Sequence, residues 1–152
     1  MTTPLGSLPE NEVPPEADYG VRCAKIEKRE GKDHPYLNVE YKITDEGYRG
    51  FTLYDIISLS PKALWKIKLW LKAFRVEENQ ELPIEKEADG SYIIDDEGME
   101  QTAKELVEGR EAIIHGVPTK YTDKEGKDRT KLAITKYEAS GGVQPWEREP
   151  EG

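Results

Sequence analysis

The most regular stretch of the chain runs from Tyr36 to Thr44. Leu37, Val39, Tyr41 and Ile43 share one face, and Tyr36, Asn38, Glu40 and Lys42 share the other, the pattern of a half-buried strand. Upstream, Tyr19, Val21 and Cys23 alternate with Gly20, Arg22 and Ala24, predicting a first strand over about Asp18 to Lys28. Ile26 is apolar but out of phase with that alternation, which predicts a bulge. The intervening segment Arg29 to Pro35 is a charged turn with Gly31 as its pliable point. Asp45-Glu46-Gly47 forms the next turn, and a third strand is predicted from Tyr48 to Leu59. There Phe51, Leu53, Asp55, Ile57 and Leu59 point one way, and Thr52, Tyr54, Ile56 and Ser58 the other. Both faces are partly apolar, as in a central or bulged strand.

The period then changes to that of a helix. Ser60 is a cap, Pro61 suits a first turn, and Lys62 to Phe74 has helical spacing. Leu64, Ile67, Leu71 and Phe74 fall on one stripe, flanked by Trp65 and Leu69, and such a stripe is core packing. Residues 76–98 are acidic and irregular, with a short hairpin at Asp89-Gly90. Glu97 to Val107 predicts a second helix, with Met99, Ala103, Leu106 and Val107 inward and Gly109 ending it. Two strands follow, Arg110 to Thr122 and Arg129 to Tyr137, joined by a charged loop, Asp123 to Asp128. In the first of them Ala112, Ile114 and Gly116 face one side, and Pro118 makes its far end an edge or a bulge.

The order is three strands, a helix, an acidic insertion with a second helix, and a two-strand hairpin. It predicts a mainly β fold, a five-stranded OB-type barrel with a helix between strands three and four. An SH3-like barrel does not account for the long amphipathic helix at that place. The expected organisation is a flexible arm at 1–17, rich in proline, then an OB-like domain at 18–138 carrying the insertion 76–108. A flexible acidic tail follows at 139–152. No run approaches the roughly 20 apolar residues of a membrane helix, and the first residues lack the basic and apolar regions of a secretory signal. Cys23 is the single cysteine, so a reducing, cytoplasmic setting is expected.

Charge sharpens this picture. The chain carries a net -9, which argues against a nucleic-acid binder until its distribution is read. Residues 77–108 hold twelve acids and two lysines, net -10. The two ends, 1–18 and 138–152, are also acidic. What remains holds nineteen basic and eleven acidic residues, net +8. The expected barrel is therefore basic and its appendages acidic.

No catalytic constellation is present in the pattern. His34 and His115 are each isolated, and Cys23 has no CxxC partner, so no metal, cofactor or enzyme activity is expected. Asp55, set among apolar strand residues, reads as a hydrogen-bonded buried carboxylate. Binding a single strand needs a cationic groove and exposed rings on which bases stack. Strands two and three offer Tyr36, Tyr48 and Tyr54 as platforms. The loops framing an OB groove offer Arg29, Lys32 and His34 on one side and Lys124, Lys127 and Arg129 on the other. Lys42, Arg49, Lys120 and Tyr121 border them.

Three segments carry a family resemblance: Tyr36 to Tyr41 (YLNVEY), Tyr48 to Phe51 (YRGF) and Leu59 to Trp65 (LSPKALW). Gly109-Arg110-Glu111, followed by a strand, a charged glycine turn and a strand, adds to them. With these the chain, over about 18–138, resembles the phage-encoded DUF669 family of small proteins found among replication and recombination genes. The resemblance implies a sequence-tolerant single-stranded DNA-binding protein of OB type, acting in the host cytoplasm in phage DNA replication or recombination. The implied partners are single-stranded DNA and replication or recombination proteins, with self-association left open and no membrane. The chain departs from bacterial single-strand binders in lacking an acidic tail that ends in Phe. The alternative from another class is a protein-interaction module, or an inhibitory accessory protein whose acidic insertion mimics nucleic acid.

Overall fold

The computed structural model describes residues 2–5 and 13–139. Along the chain run β1 (Ala17–Arg29), β2 (Tyr36–Ile43), β3 (Thr52–Ser58), a short 3-10 turn (Pro61–Ala63) and α1 (Leu64–Ala73). Then come β4 (Ile84–Lys86), β5 (Tyr92–Ile94), α2 (Asp96–Val107), β6 (Glu111–Thr122) and β7 (Asp128–Ala139). The fold is mainly β. Five strands form an antiparallel sheet in the order β3-β2-β1-β6-β7, and β4 and β5 form a small second sheet.

Alternation is what builds the inner face of the sheet. Leu37, Val39, Tyr41 and Ile43 of β2 are all buried, and so are Tyr19, Val21, Cys23 and Ile26 of β1. The change of phase at Ile26 is a bulge, with the β1–β2 register shifting between Cys23 and Lys25. One extra residue returns the apolar side chain to the core. The third strand is shorter than its pattern predicts. Residues 45–51 form a turn in which Tyr48 N–H donates to Asp45 O and Phe51 N–H to Tyr48 O. Tyr48 is thus a turn residue, not a strand residue.

Ser60 caps the 3-10 turn, its hydroxyl accepting the Lys62 N–H at 3.2 Å. In α1, Ile67, Leu71 and Phe74 are buried as the stripe predicts, but so is Trp70, completely. Its indole N–H donates to the Tyr41 hydroxyl at 2.8 Å, and the Tyr41 and Phe74 rings stack at 6.0 Å. Trp70 follows Ile67 by three residues and precedes Phe74 by four, so it lies on the same stripe, and α1 contacts both β3 and β7.

α2 lies on β1 and buries Met99, Ala103 and Val107 completely. β6 pairs with β1 only as far as Arg22. Beyond that point α2 supplies carboxylates to the exposed edge: Glu108 accepts the Ile26 N–H and Glu100 the Lys28 N–H, each at 2.7 Å. The acidic stretch 76–108 therefore divides. Its second half belongs to the core of the domain, and its first half forms the β4–β5 hairpin, with Leu82, Ile84 and Ile94 half-buried against that core.

The sheet does not close into a barrel. β3 and β7 come into contact, yet no backbone ladder joins them among the described residues. Side chains bridge the seam instead. The Tyr137 hydroxyl donates to Asp55 Oδ2 at 2.5 Å and lies 3.0 Å from the Tyr41 hydroxyl. Asp55 Oδ1 accepts the Ile56 N–H, and Lys66 Nζ donates to the Ile56 carbonyl at 3.0 Å. The edge-facing N–H and carbonyl of Ile56 on β3 are thus met, and Asp55 is the hydrogen-bonded carboxylate its setting predicts. Burial pushes the Tyr41 and Tyr137 hydroxyls well above the usual tyrosine range, so both stay protonated.

Residues 13–17, assigned from sequence to the arm, pack on the sheet. Val13 rests against the core, Pro14 is buried and the Tyr19 hydroxyl donates to Pro15 O at 2.5 Å. Residues 6–12 of the arm and 140–152 of the expected tail lie outside the described residues. No described helix is long and apolar enough to cross a membrane.

Candidate nucleic-acid interface

Register fixes the outer face of β1, β2 and β3 in rows. Lys42 stands between Arg22 and Thr52, Glu40 between Lys25 and Tyr54, Asn38 between Glu27 and Ile56, and Tyr36 between Arg29 and Ser58. One end of the face is basic and its β3 side is apolar and aromatic.

A groove opens along β3. Past Gly116, β6 has no β1 partner, and the free arm of the β6–β7 hairpin leans toward β3. The groove, about 380 Å³, has Asn38, Tyr54 and Ile56 on one wall and Tyr121, Thr130 and Lys131 on the other. Tyr54 is 54% exposed, Ile56 52% and Tyr121 40%. Lys131 Nζ sits 5.5 Å from the centre of the Tyr121 ring, a cation–π distance. One predicted platform, Tyr54, and Tyr121, predicted to border it, therefore share one groove with a cation beside them.

A second depression of about 460 Å³ lies at the basic end, lined by Arg22, Lys42 and Arg49 with Gly50 and Gly109. Lys42 is held there by a hydrogen bond to Thr52 Oγ1 and by Glu40 at 3.9 Å. Three cations around one hollow make a site for an anion such as a phosphate.

The remaining predicted residues are placed less favourably. Arg29 pairs with Glu27 at 2.7 Å. Lys32 and His34 are exposed on the β1–β2 loop, beyond the Tyr36 end of the face, and Tyr36 itself is half-buried. Tyr48 is 41% exposed and meets Tyr19 edge-on at 5.8 Å, but it does not line the groove along β3. Arg129 is bound to Asp123 at 2.5 Å, and Asp123 also accepts the Glu125 and Lys127 N–H groups. Arg129 thus shapes the hairpin loop, and its hydrogen bond is the main reason the Asp123 carboxyl is held below its usual range. Lys120, Lys124 and Lys127 are exposed on that arm and loop.

Arg22 lines the basic hollow and Lys131 the groove, and the sequence reading left both out. Arg22 was legible as an outward position of the first strand. Lys131 follows Arg129 by two residues on the same strand face. Away from the face, Cys23 is buried, and burial together with the nearby Glu108 charge pushes its thiol up to about 12. His115 hydrogen-bonds Asp18 at 2.7 Å and Glu16 at 3.1 Å, which raises its pKa above the ordinary 6.5.

Compared with protein-family models and with curated proteins, the sequence gives no match.

Proposed function

We propose that this chain binds single-stranded DNA, with little regard to sequence, along the outer face of β2 and β3, and that it serves phage DNA replication or recombination. The observation that carries the reading is the groove in which Tyr54 and Tyr121 stand exposed beside Lys131. Rings of this kind accept any base, because every base has a π-face, and each stack contributes about 1–3 kcal/mol. The hollow of Arg22, Lys42 and Arg49 supplies cations for the phosphates. The strand order supports an OB-type architecture: a meander β3-β2-β1, a helix after β3, and a returning hairpin β6–β7 whose last strand approaches β3. In that reading the side-chain seam at Asp55 and Tyr137 stands where a closed barrel would have a ladder. The segments that resemble the phage family, Tyr36 to Tyr41, Tyr48 to Phe51 and Leu59 to Trp65, point the same way.

The test is a fluorescence titration with labelled oligonucleotides. Oligo-dT and a mixed sequence of equal length should bind within a few-fold of each other, and Tyr121→Ala should weaken both alike. Strong preference for one sequence, or full affinity in Tyr54→Ala and Tyr121→Ala together, would refute the reading.

A further inference from the structure

A cleft of about 560 Å³ lies between α1 and the β4–β5 hairpin, with glutamates and lysines mixed around it. The groove along β3 is built differently, because one of its walls is an arm that projects past β1. β6 pairs with β1 only from Glu111 to Gly116. Beyond Gly116 the β6–β7 ladder runs on by itself to Thr122 and Asp128, and it carries Tyr121 and Lys131 to the groove. A two-stranded ribbon is weakly held by its own ladder, so contacts outside the ladder must set how far Tyr121 stands from Tyr54.

Two such contacts stand at the root of the arm. The first is a chain of hydrogen bonds. The Tyr137 hydroxyl has one proton and gives it to Asp55 Oδ2 at 2.5 Å. At its 3.0 Å contact with the Tyr41 hydroxyl it is therefore the acceptor, and Tyr41 in turn accepts the Trp70 indole N–H at 2.8 Å. The chain thus runs in one direction, from the buried Trp70 of α1 through β2 and β7 to Asp55, which itself lines the groove. Two residues before Tyr137 the β6–β7 register shifts and leaves Thr135 unpaired, its hydroxyl donating to the His115 carbonyl at 3.3 Å. A bulge bends its strand, so the arm turns beside the tie to β3. The second contact is a close approach. Leu132 is buried, lines the groove and lies over Gly116, where an added Cβ would stand 2.9–3.1 Å from the Leu132 side chain. Glycine lets the arm settle at that distance.

We propose that the Tyr137–Asp55 hydrogen bond and the Leu132–Gly116 contact seat the arm, so that Tyr137 and Gly116 are positioning residues for nucleic-acid binding: they act through Tyr121, holding its ring across the groove from Tyr54. This rests on the DNA-binding reading and adds what fixes the spacing of the two rings. A seated arm spares the incoming strand the cost of ordering it, and that saving appears as affinity.

The test is a fluorescence titration of Tyr137→Phe and Gly116→Ala with labelled oligo-dT, at a temperature where circular dichroism shows the chain folded. Each variant should bind at least about fivefold more weakly than the wild type, the loss of about one stacked base. A role in stability alone would lower the melting temperature and leave the affinity of the folded chain as it was. Coupling to Tyr121 separates the two roles. Each variant combined with Tyr121→Ala should bind within about twofold of Tyr121→Ala alone, whereas combination with Arg22→Ala should multiply the losses. Unchanged affinity in a folded variant, or losses that multiply with Tyr121→Ala, would overturn the proposal. If Tyr137→Phe does not fold, Gly116→Ala decides; unfolding of both would make the seam a matter of core packing and overturn the proposal too. No binding by the wild-type chain would refute the DNA-binding reading and this proposal with it, whereas binding by the wild type and equally by the variants refutes the proposal alone.

Discussion

The groove along β3 and the cleft beside α1 are alike in their apolar parts. Each exposes two aromatic rings: Tyr54 and Tyr121 in one, Trp65 and Tyr92 in the other. What differs is the charge around them. Lys131 flanks the first, with Arg22 and Arg49 farther along the same face, whereas glutamates and lysines are mixed around the second. An exposed ring says only that something flat or apolar can rest on it. The charges nearby decide whether a phosphate chain can follow it. In the β3 groove the same logic extends to function, since counterion release from phosphates needs cations that are not already spent on carboxylates.

The contrast can be broken first within α1 itself, which carries one tryptophan of each kind. Trp70 is fully buried and hydrogen-bonded, so Trp70→Ala should destabilise the domain by about 3–5 kcal/mol. Trp65→Ala, on an exposed position, should stay within about 0.5 kcal/mol of the parent. Urea denaturation of the two variants measures both. A large loss from Trp65→Ala would mean that the cleft is core and not an open surface.

Ligand binding should separate the surfaces in the same way. Tyr54→Ala should weaken oligonucleotide binding by about 1–3 kcal/mol while the melting curve hardly moves. Trp65→Ala should leave oligonucleotide affinity as it was. Replacing Arg22 with Ala should lower affinity for all sequences evenly and reduce the slope of log affinity against log salt by about 1.

The two halves of the acidic segment give a further contrast. Glu108 is tied to a β1 amide at 2.7 Å, so Glu108→Ala leaves a part-buried donor unmet and should cost about 1–3 kcal/mol. Glu85→Ala, on the exposed hairpin, should be near neutral. Equal effects would show that the hairpin is as embedded as α2.

The smallest expected effect belongs to His115. Hydrogen bonds to Asp18 and then Glu16 raise its pKa above 6.5 in the folded chain. The protonated ring therefore favours the folded state. That contribution is whole below 6.5, the ordinary value, and fades as pH rises through the raised folded value. Thermal melts of the wild type should lose slightly more stability than those of His115→Gln as pH passes through that window. Parallel curves would show that the contacts with Asp18 and Glu16 carry no net weight.

Much of the fold was legible in the sequence because alternation reports burial directly. β2 reads off residue by residue, and the displaced Ile26 announced a bulge. The α1 stripe was read incompletely: Trp70, three residues after Ile67 and four before Phe74, lies on the same face and was passed over. Tyr48 was read as a strand residue because its neighbours alternate, but Gly47 and Gly50, both at positive φ, turn the chain there. The inward face of α2 was legible from Met99, Ala103 and Val107, but composition does not say that a glutamate accepts a strand amide. The candidate groove was half legible. Tyr54 and Lys42 followed from outward positions on paired strands, but the approach of the Tyr121 arm to β3 is a long-range contact that no local pattern encodes.

The most direct measurement is the affinity of the wild-type chain for a labelled single-stranded oligonucleotide at two salt concentrations. Between about 50 and about 200 mM salt the affinity should fall by at least an order of magnitude. An affinity indifferent to salt, or none detectable at the lower concentration, would contradict the account.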